Sequence, residues 1–522
     1  MTVVEAALAS GGTGEVWGAV AACVVALVPA GARWLRVAQR EHYIGDSCSR
    51  FAFRWWTLEP LNLLLAAAAL AGVVLSGLWP LVALATAAVA LVGPAHLSIR
   101  GRTSPLVFTR RLKVLAAVWL VLQGAVVAIG VVVGAPAPFA AAGVVAAPAL
   151  IDIALYLTAP LERRLSQHFV AAAAERLRRV APTVVAITGS YGKTSTKNHV
   201  AHLLTGTRTV VATPASFNNR GGLARSVNEH LADGTEVFIA EMGTYGPGEI
   251  RALCSWCPPS ISVMTAIGPV HLERFGTEDA IVKAKSEITE GASVVVVNAD
   301  DDRLATLAAT LRAAADGPTV VRCSVVDEGA DVCVRRDGAA LTVVVDGRRV
   351  ETVLPEGSGV QATNLACAVA VALHLGVGLE EVSERIATMP SIPNRLTAGT
   401  AASGVYVIDD TFNSNPAGAR AALALLADAP CDGRRAVVTP GMIELGRRQE
   451  QENELFARAA SGVASDFVVV GRTNRRALVR GWSGERPVVV VRTRDDAVAW
   501  VRGHLGLGDV VLYENDLPDH YP

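Results

Sequence analysis

Thr183-Val-Val-Ala-Ile-Thr-Gly-Ser-Tyr-Gly-Lys-Thr-Ser195 decides the reading of this 522-residue chain. Its first six residues are a β-branched, apolar run of strand character, and Lys193 opens a segment of helical pattern after a glycine-bounded turn. Strand, glycine loop and helix start in that order make a P-loop. Its backbone N–H groups cradle phosphates, the Lys193 ammonium neutralises the transferred phosphoryl group, and the Thr194 hydroxyl is offered to Mg²⁺. Gly189, Ser190, Tyr191, Gly192, Lys193, Thr194 and Ser195 are therefore the first nucleotide-binding candidates.

Toward the N-terminus the composition changes. Apolar residues make up 51% of the chain and charged residues 18%, and most of the apolar excess precedes residue 160. Five runs, at about 16–32, 61–77, 79–97, 114–133 and 139–157, approach the ~20 residues that span a hydrocarbon core. Residues 33–54 carry five Arg, and residues 100–113 carry four Arg and Lys113. Both basic loops fall on the cytoplasmic side by the positive-inside rule, which predicts a multi-pass plasma-membrane protein with its N-terminus outside and everything after Pro160 inside. The alternative is a set of buried helices in a soluble Ala/Val-rich protein. Asp152, inside the last run, is either functional or close enough to the end to snorkel. Residues 161–180 mix Arg and Glu with Leu, Phe and Ala at helical spacing, as an amphipathic linking helix at the membrane surface or a plain linker does.

The net charge of −1 gives no basic footprint for nucleic acid. Of eight cysteines only Cys254 and Cys257 form a C-x-x-C pair, short of the four ligands zinc usually takes, and they read as reduced thiols. Of 47 basic residues only Lys113, Lys193, Lys197, Lys283 and Lys285 are Lys, so each raises the question whether an amine was needed.

Toward the C-terminus further motifs come in order: Thr213-Pro-Ala-Ser-Phe-Asn-Asn219, Glu241-Met-Gly-Thr-Tyr-Gly-Pro-Gly-Glu-Ile250, His271-Leu-Glu-Arg-Phe-Gly276, Ala284-Lys-Ser-Glu-Ile288 and Val297-Asn-Ala-Asp300. Asn394-Arg395, Ile408-Asp-Asp-Thr-Phe-Asn-Ser-Asn-Pro416 and Gly441-Met-Ile-Glu-Leu-Gly446 complete the series. With the short G-x-x-G-K-T-S loop, this set over residues 183–512 resembles the MurF branch of the Mur ligases.

The resemblance implies ATP, two Mg²⁺ and CO₂ bound as a lysine carbamate. Thr194, Glu241 and His271 would hold metal, and Lys285 would carry the carbamate that helps hold a second Mg²⁺; Lys193, Lys285, His271 and Arg395 form the catalytic set. Read alone, His271 is better taken as a buried structural histidine, a balance that the carboxylate at the strand end 30 residues earlier shifts, and Lys285 could simply pair with Glu287. Asn298 would read the adenine edge, Arg395 and Asp409 would contact phosphate and nucleotide across the cleft, and Ser216, Asn218, Asn219, Asn413 and Asn415 would face substrate. The implied chemistry activates a carboxylate as an acyl phosphate and lets an amine displace phosphate.

Three features depart from that family: apolar runs stand where a uridine-nucleotide domain is expected, Val360-Gln361 replaces a common His-Asn before Asn364, and Tyr513-Glu-Asn-Asp516 replaces a Lys-Gly-Ser ending. The expected architecture is a transmembrane α-helical bundle (1–160), a linking helix (161–180), an α/β P-loop central domain (181–392) and an α/β Rossmann-like C-terminal domain (393–522). A hairpin insertion is expected over residues 320–355, with Asp-Gly turns at 337 and 346. The expected function is a membrane-anchored ATP-dependent amide ligase acting on cell-envelope precursors, with the lipid bilayer and a lipid-linked carboxylate as partners. Ordinary MurF activity, adding D-Ala-D-Ala to a UDP-MurNAc-peptide, and a non-catalytic ATP-binding scaffold are the alternatives.

Overall fold

The computed structural model describes residues 13–99, 105–355, 357–412, 414–518 and 520–521. It divides into a helical unit, which runs to Leu165 and takes in the chain again from Leu517, and an α/β unit, Ser166–Asp516.

In the helical unit the apolar runs form Thr13–Arg40, Ser47–Leu58, Pro60–Leu75, Ala83–Val92, Arg110–Val132, Pro136–Val145 and the start of Ala147–Val180. Among the described residues, only Thr13–Arg40 and Arg110–Val132 are long and apolar enough to cross a membrane; the number reaches four if each bent pair, Ser47–Leu58 with Pro60–Leu75 (113°) and Pro136–Val145 with Ala147–Val180 (74°), is one crossing. The five-span expectation is corrected accordingly. Hydropathy reads through the break at Pro80 in the 79–97 run and the one at Ala146 in the 139–157 run. The run at 79–97 yields the ten-residue helix Ala83–Val92, about 15 Å of rise against a core of about 30 Å. The expected external N-terminus falls on residues 1–12, outside the described residues.

Two of the arginines assigned to a basic loop are structural. Arg33 lies buried inside the first helix and donates to the carbonyls of Ala90 (3.1 Å), Leu91 (2.7 Å) and Gly93 (3.2 Å), which satisfies the unpaired C-terminal carbonyls of Ala83–Val92. Arg36 reaches the Ser98 carbonyl. Asp152 is a cap: its carboxylate accepts from Cys48 N (3.1 Å) and Ser49 N (2.8 Å) at the start of Ser47–Leu58, whose own N-cap residue, Asp46, makes no side-chain cap bond.

The α/β unit holds two sheets. Strands β1 (Thr183–Thr188), β2 (Val210–Ala212), β3 (Val237–Glu241), β4 (Ile261–Met264), β5 (Val294–Asn298), β6 (Thr319–Ser324), β7 (Val332–Asp337), β8 (Ala340–Val345) and β9 (Arg348–Val353) form the first. Their order is β2-β3-β1-β4-β5-β6-β7-β8-β9, parallel as far as β7 and antiparallel from there. The expected hairpin insertion is thus shorter than residues 320–355, because β6 belongs to the parallel core. Asp346-Gly347, both at positive φ, closes β8 onto β9.

Alternation along the strands sends Val185, Ile187 and Ile239 to one face, under Lys193–Leu203 and the almost wholly buried Ala362–His374. Val184, Phe238 and Ala240 go to the other. Val170, Ala173 and Leu177 of the long helix pack on that second face, whereas Leu161, Leu165 and Phe169 nearer the start of the 161–180 segment are exposed.

The second sheet contains β10 (Thr397–Thr400), β11 (Tyr406–Asp410), β12 (Arg435–Thr439), β13 (Asp466–Val470), β14 (Val489–Val491) and β15 (Val510–Glu514), in the order β10-β11-β15-β12-β13-β14. Only β10 is antiparallel. Because β15 lies between β11 and β12, the chain order reverses there, and the strand ends at Asp410, Glu514 and Thr439 face the kind of crevice in which α/β sheets bind ligands.

The Asp152 cap generates a test. Asp152→Ala in the full chain is expected to cost about 1–2 kcal/mol, read as a lower thermal midpoint, with nucleotide binding by the α/β unit unchanged.

Candidate functional site

The site begins where β1 and β3 end side by side, with Ile187 opposite Glu241. After β1 the chain turns through Gly189 and Gly192, both at positive φ. A Cβ at Gly192 would stand 2.1 Å from Asn364 Oδ1, so the loop admits no side chain there and Asn364 closes over it. Ser190 Oγ bonds both Gly268 O (3.1 Å) and Gly268 N (3.0 Å), and the Tyr191 ring lies over Gly268. The Tyr191 hydroxyl is buried with no partner among the described residues. Lys193 Nζ donates to Gly189 O (2.7 Å) and Ser190 O (3.4 Å). Ser195 lies half-buried in the first turn of the following helix.

Glu241 is the hub. One carboxylate oxygen accepts from Thr194 Oγ1 (2.9 Å) and lies 3.3 Å from Lys197 Nζ; the other accepts from Asn218 Nδ2 (3.1 Å). Glu241 and Lys197 are both buried. Burial lowers the pKa of the Lys193, Lys197 and Arg395 cations, the Glu241 charge opposes that in all three, and Arg395 acts further against both lysines. Lys285 is 3% exposed. It is held well below the ordinary lysine value by burial and then by Lys193. Lys193, Lys197 and Arg395 therefore share the field of one carboxylate, an imbalance that a polyphosphate corrects.

Thr194 and Glu241 offer hard oxygen donors, and no group of three or more His, Cys, Asp or Glu among the described residues is placed to hold a metal ion. A pair of protein oxygens fits Mg²⁺, which keeps waters and takes its other ligands from substrate phosphates.

The remaining candidates separate. His271, at positive φ, pairs through Nδ1 with the Glu444 carboxylate and meets the Tyr245 ring at 4.7 Å; no bond joins it to Glu241 or Lys285 among the described residues. Glu287 does not pair with Lys285: its carboxylate accepts from Gly248 N (2.7 Å) and Arg251 N (3.0 Å). Lys283 is exposed. Arg395 stacks on Phe412 (4.2 Å) and feels Asp410, whereas Asp409 is taken up by Thr411 N and Oγ1 (3.1 and 2.6 Å). Asn298 Oδ1 accepts from Asp300 N (3.2 Å). Asn219 and Asn415 use their side-chain oxygens to cap Arg220–His230 and Pro416–Asp428, and Ser216 is exposed. Asn413 lies outside the described residues. Cys254 touches Met242 (3.9 Å), and burial raises its thiol to about 12.

Sequence reasoning missed Lys197, Asp410, Glu444 and Glu514. Lys scarcity could have flagged the first, and Glu444 lies inside a quoted motif. Glu514, fully buried at the end of β15, accepts from Ser414 Oγ and Thr439 Oγ1 (2.7 Å). Burial raises its carboxyl to about 8 and that of Asp410 to about 6.

The Mur ligase middle domain family matches residues 187–372, and the Mur ligase glutamate ligase domain family matches 394–513. The UDP-N-acetylmuramoyl-tripeptide--D-alanyl-D-alanine ligase of Mycobacterium tuberculosis (strain CDC 1551 / Oshkosh) is 36% identical over 361 residues, 63% of this chain and 69% of that one. MurF from Acinetobacter baumannii superposes with a TM-score of 0.59 at 25% identity, over 67% of this chain and 77% of that chain. MurF ligase from Thermotoga maritima in complex with ADP gives the same score and identity, over 67% and 80%.

Glu514 yields a pH test. Its folded pKa is raised from 4.5 to about 8, so its contribution to stability is full below the unfolded value and is lost as pH rises through about 8. Glu514→Gln keeps the neutral shape. Its thermal midpoint is expected to match wild type near pH 5 and to exceed it increasingly toward pH 9; a constant offset across that range would refute a buried, proton-holding carboxyl.

Proposed function

The chain belongs to the Mur ligase family and is an ATP-dependent amide ligase, and from that premise we propose that it performs MurF-type chemistry, joining a D-Ala-D-Ala amine to the peptide carboxylate of a UDP-MurNAc precursor. The observation that carries this is the convergence of Lys193, Lys197 and Arg395 on Glu241 at the P-loop, with Lys285 buried beside Lys193. The carboxylate attacks the γ-phosphorus of ATP, ADP leaves, and the acyl phosphate passes its acyl group to the amine with loss of phosphate. Lys193 and Arg395 neutralise charge on the transferring group in both steps. Thr194 and Glu241 would hold Mg²⁺, which screens phosphate charge when bound. The names of the relatives support the UDP-MurNAc-peptide over the lipid-linked carboxylate, and nothing in the helical unit identifies a lipid-linked group.

In this reading the helical unit is a membrane anchor. Val28, Leu64, Val74, Val92, Val121 and Val132 are exposed on its helices, an apolar surface that water does not favour and hydrocarbon does. The α/β unit is assigned to the cytoplasmic side.

Lys285 is assigned the carbamate. The reaction with CO₂ needs a neutral amine, and a buried lysine beside Lys193 with no ion-pair partner among the described residues meets that need. Phosphate release by the full chain with UDP-MurNAc-tripeptide and D-Ala-D-Ala tests the reaction, with a lipid-linked precursor as the second arm. Lys285→Arg is expected to lose about 100-fold or more of the rate, while Lys283→Arg stays near wild type. Lys285→Ala is expected to regain part of its rate with acetate, whose oxygens stand in for those of the carbamate. Full activity of Lys285→Arg would sink the carbamate. Failure of wild type on the soluble precursor with turnover of the lipid-linked one would reverse the substrate assignment.

A further inference from the structure

Along Arg110–Val132 the exposed positions fall on one stripe at helical spacing, through Arg110, Lys113, Ala117, Leu120, Gly124 and Ala128. Beyond Lys113 the helix carries no charge at all. Its 23 residues rise about 34 Å, enough for a hydrocarbon core of about 30 Å with the cationic first turn left at the edge. Ala147–Val180 shows the same change in the opposite chain direction. Ile153, Tyr156, Leu157 and Leu161 are exposed, and two helical turns after Leu157 the same face presents Arg164, beside the exposed Arg163.

The two cationic ends lie together. Arg110 is 3.6 Å from Glu162, which joins the start of one helix to the other. The segment before Arg110 is fastened to the end of the first helix: Val107 N donates to Gln39 Oε1 (3.0 Å), Gln39 Nε2 donates to Val107 O (2.8 Å), and the Tyr43 hydroxyl is 3.3 Å from Thr109 Oγ1. The Arg111 guanidinium lies over the Tyr43 ring at 4.2 Å. Residues 105–113 and 153–165 thus gather five cations, Arg110, Arg111, Lys113, Arg163 and Arg164, against the single acid Glu162, with Phe108 and Leu161 exposed among them. The charge is in surplus, and it forms one layer at the end of two apolar stripes.

We propose that this layer is a binding surface for anionic phospholipid, in which the phosphodiesters of negatively charged headgroups lie against Arg110, Lys113 and Arg164 while their acyl chains run along the apolar stripes of the two helices. The inference rests on the reading of the helical unit as a membrane anchor and adds the class of lipid. A zwitterionic headgroup brings its own cation, which surplus Arg and Lys repel. An anionic one does not, and each basic side chain near such a surface raises the local anion concentration about fivefold. A free phosphate has no hydrocarbon to cover Phe108 and Leu161, so the arrangement fits a lipid and not a dissolved anion.

The test uses the full chain reconstituted into vesicles of equal parts phosphatidylcholine and phosphatidylglycerol, extracted again in mild detergent, with the ratio of the two lipids retained as the readout. Wild type is expected to hold phosphatidylglycerol enriched about fivefold over the vesicle mixture, an enrichment that falls as salt is raised. The triple variant Arg110→Gln, Lys113→Gln, Arg164→Gln is expected to return the mixture's own ratio with helix content and vesicle flotation unchanged, and Lys113→Arg to keep the wild-type enrichment. The salt series on wild type reads the same charge without any substitution. An unenriched wild type, or a triple variant enriched like wild type, would overturn the surface. So would release of the retained phosphatidylglycerol by inorganic phosphate beyond that caused by chloride at equal ionic strength, which marks a site for a dissolved anion. A chain that floats with neither pure phosphatidylcholine vesicles nor the mixture defeats the anchor reading; one that floats with both and retains no excess phosphatidylglycerol defeats this inference alone.

Discussion

The catalytic unit depends on one buried carboxylate. Glu241 ends β3 beside the P-loop, and on its two oxygens converge a hydroxyl, an amide and an ammonium, from Thr194, Asn218 and Lys197. The loop after β1, the helix it opens and the turn before Arg220–His230 are therefore fixed relative to one another by a single charge. The same charge is too small for its surroundings. Lys193 and Arg395 lie in its field as well, both desolvated, and Lys285 is buried beside Lys193. Buried cations without enough counter-charge destabilise a fold, and a bound polyphosphate is what relieves them. The binding site is in this sense a deficit built into the folded state, and that deficit favours a triphosphate over neutral ligands.

Much of this was legible in the sequence, for a reason that sets its limit. P-loops, two-residue turns and strands are local, and residues 183–195, the Asp346-Gly347 turn and the alternating strands all fold as their spacing implies. What failed was non-local. Hydropathy counted five spans because it cannot see that the 139–157 run bends by 74° between two helices or that the 79–97 run yields a ten-residue helix. Charge counting placed Arg33 and Arg36 in a loop because it cannot see the carbonyls of Ala90, Leu91, Gly93 and Ser98 coming round to meet them. Asn219 and Asn415 were legible as polar residues at motif ends, but capping and substrate contact call for the same residue types, and the hydrogen bonds given to both are caps.

The C-terminal departure is the clearest case of a residue whose meaning lies in its burial. As sequence, Tyr513-Glu-Asn-Asp516 exchanges a basic ending for an acidic one. In the fold Glu514 is fully buried between Ser414 and Thr439, and its carboxyl holds its proton to about pH 8. The exchange therefore removes a positive charge from the strand ends without installing a negative one. Asp410, pushed up to about 6 on the adjacent strand, adds little more below that value.

The lysines join composition to site. Arg is the default cation of this chain, and its guanidinium keeps its proton under any burial a protein imposes. An ammonium is compact enough to fit beside a P-loop carbonyl or a buried carboxylate, and it can give its proton up. Of the five lysines, Lys113 and Lys283 are exposed, while Lys193 and Lys197 are buried in the field of Glu241 and Lys285 is buried beside Lys193. An Arg at any of these three positions would bring a wide planar fork, and at Lys285 a permanent charge facing Lys193 with no acid to offset it. Restriction of buried lysine to this site makes sense if the chemistry needs small cations at two positions and a neutral amine at the third, which is a condition on the reaction and not on the fold.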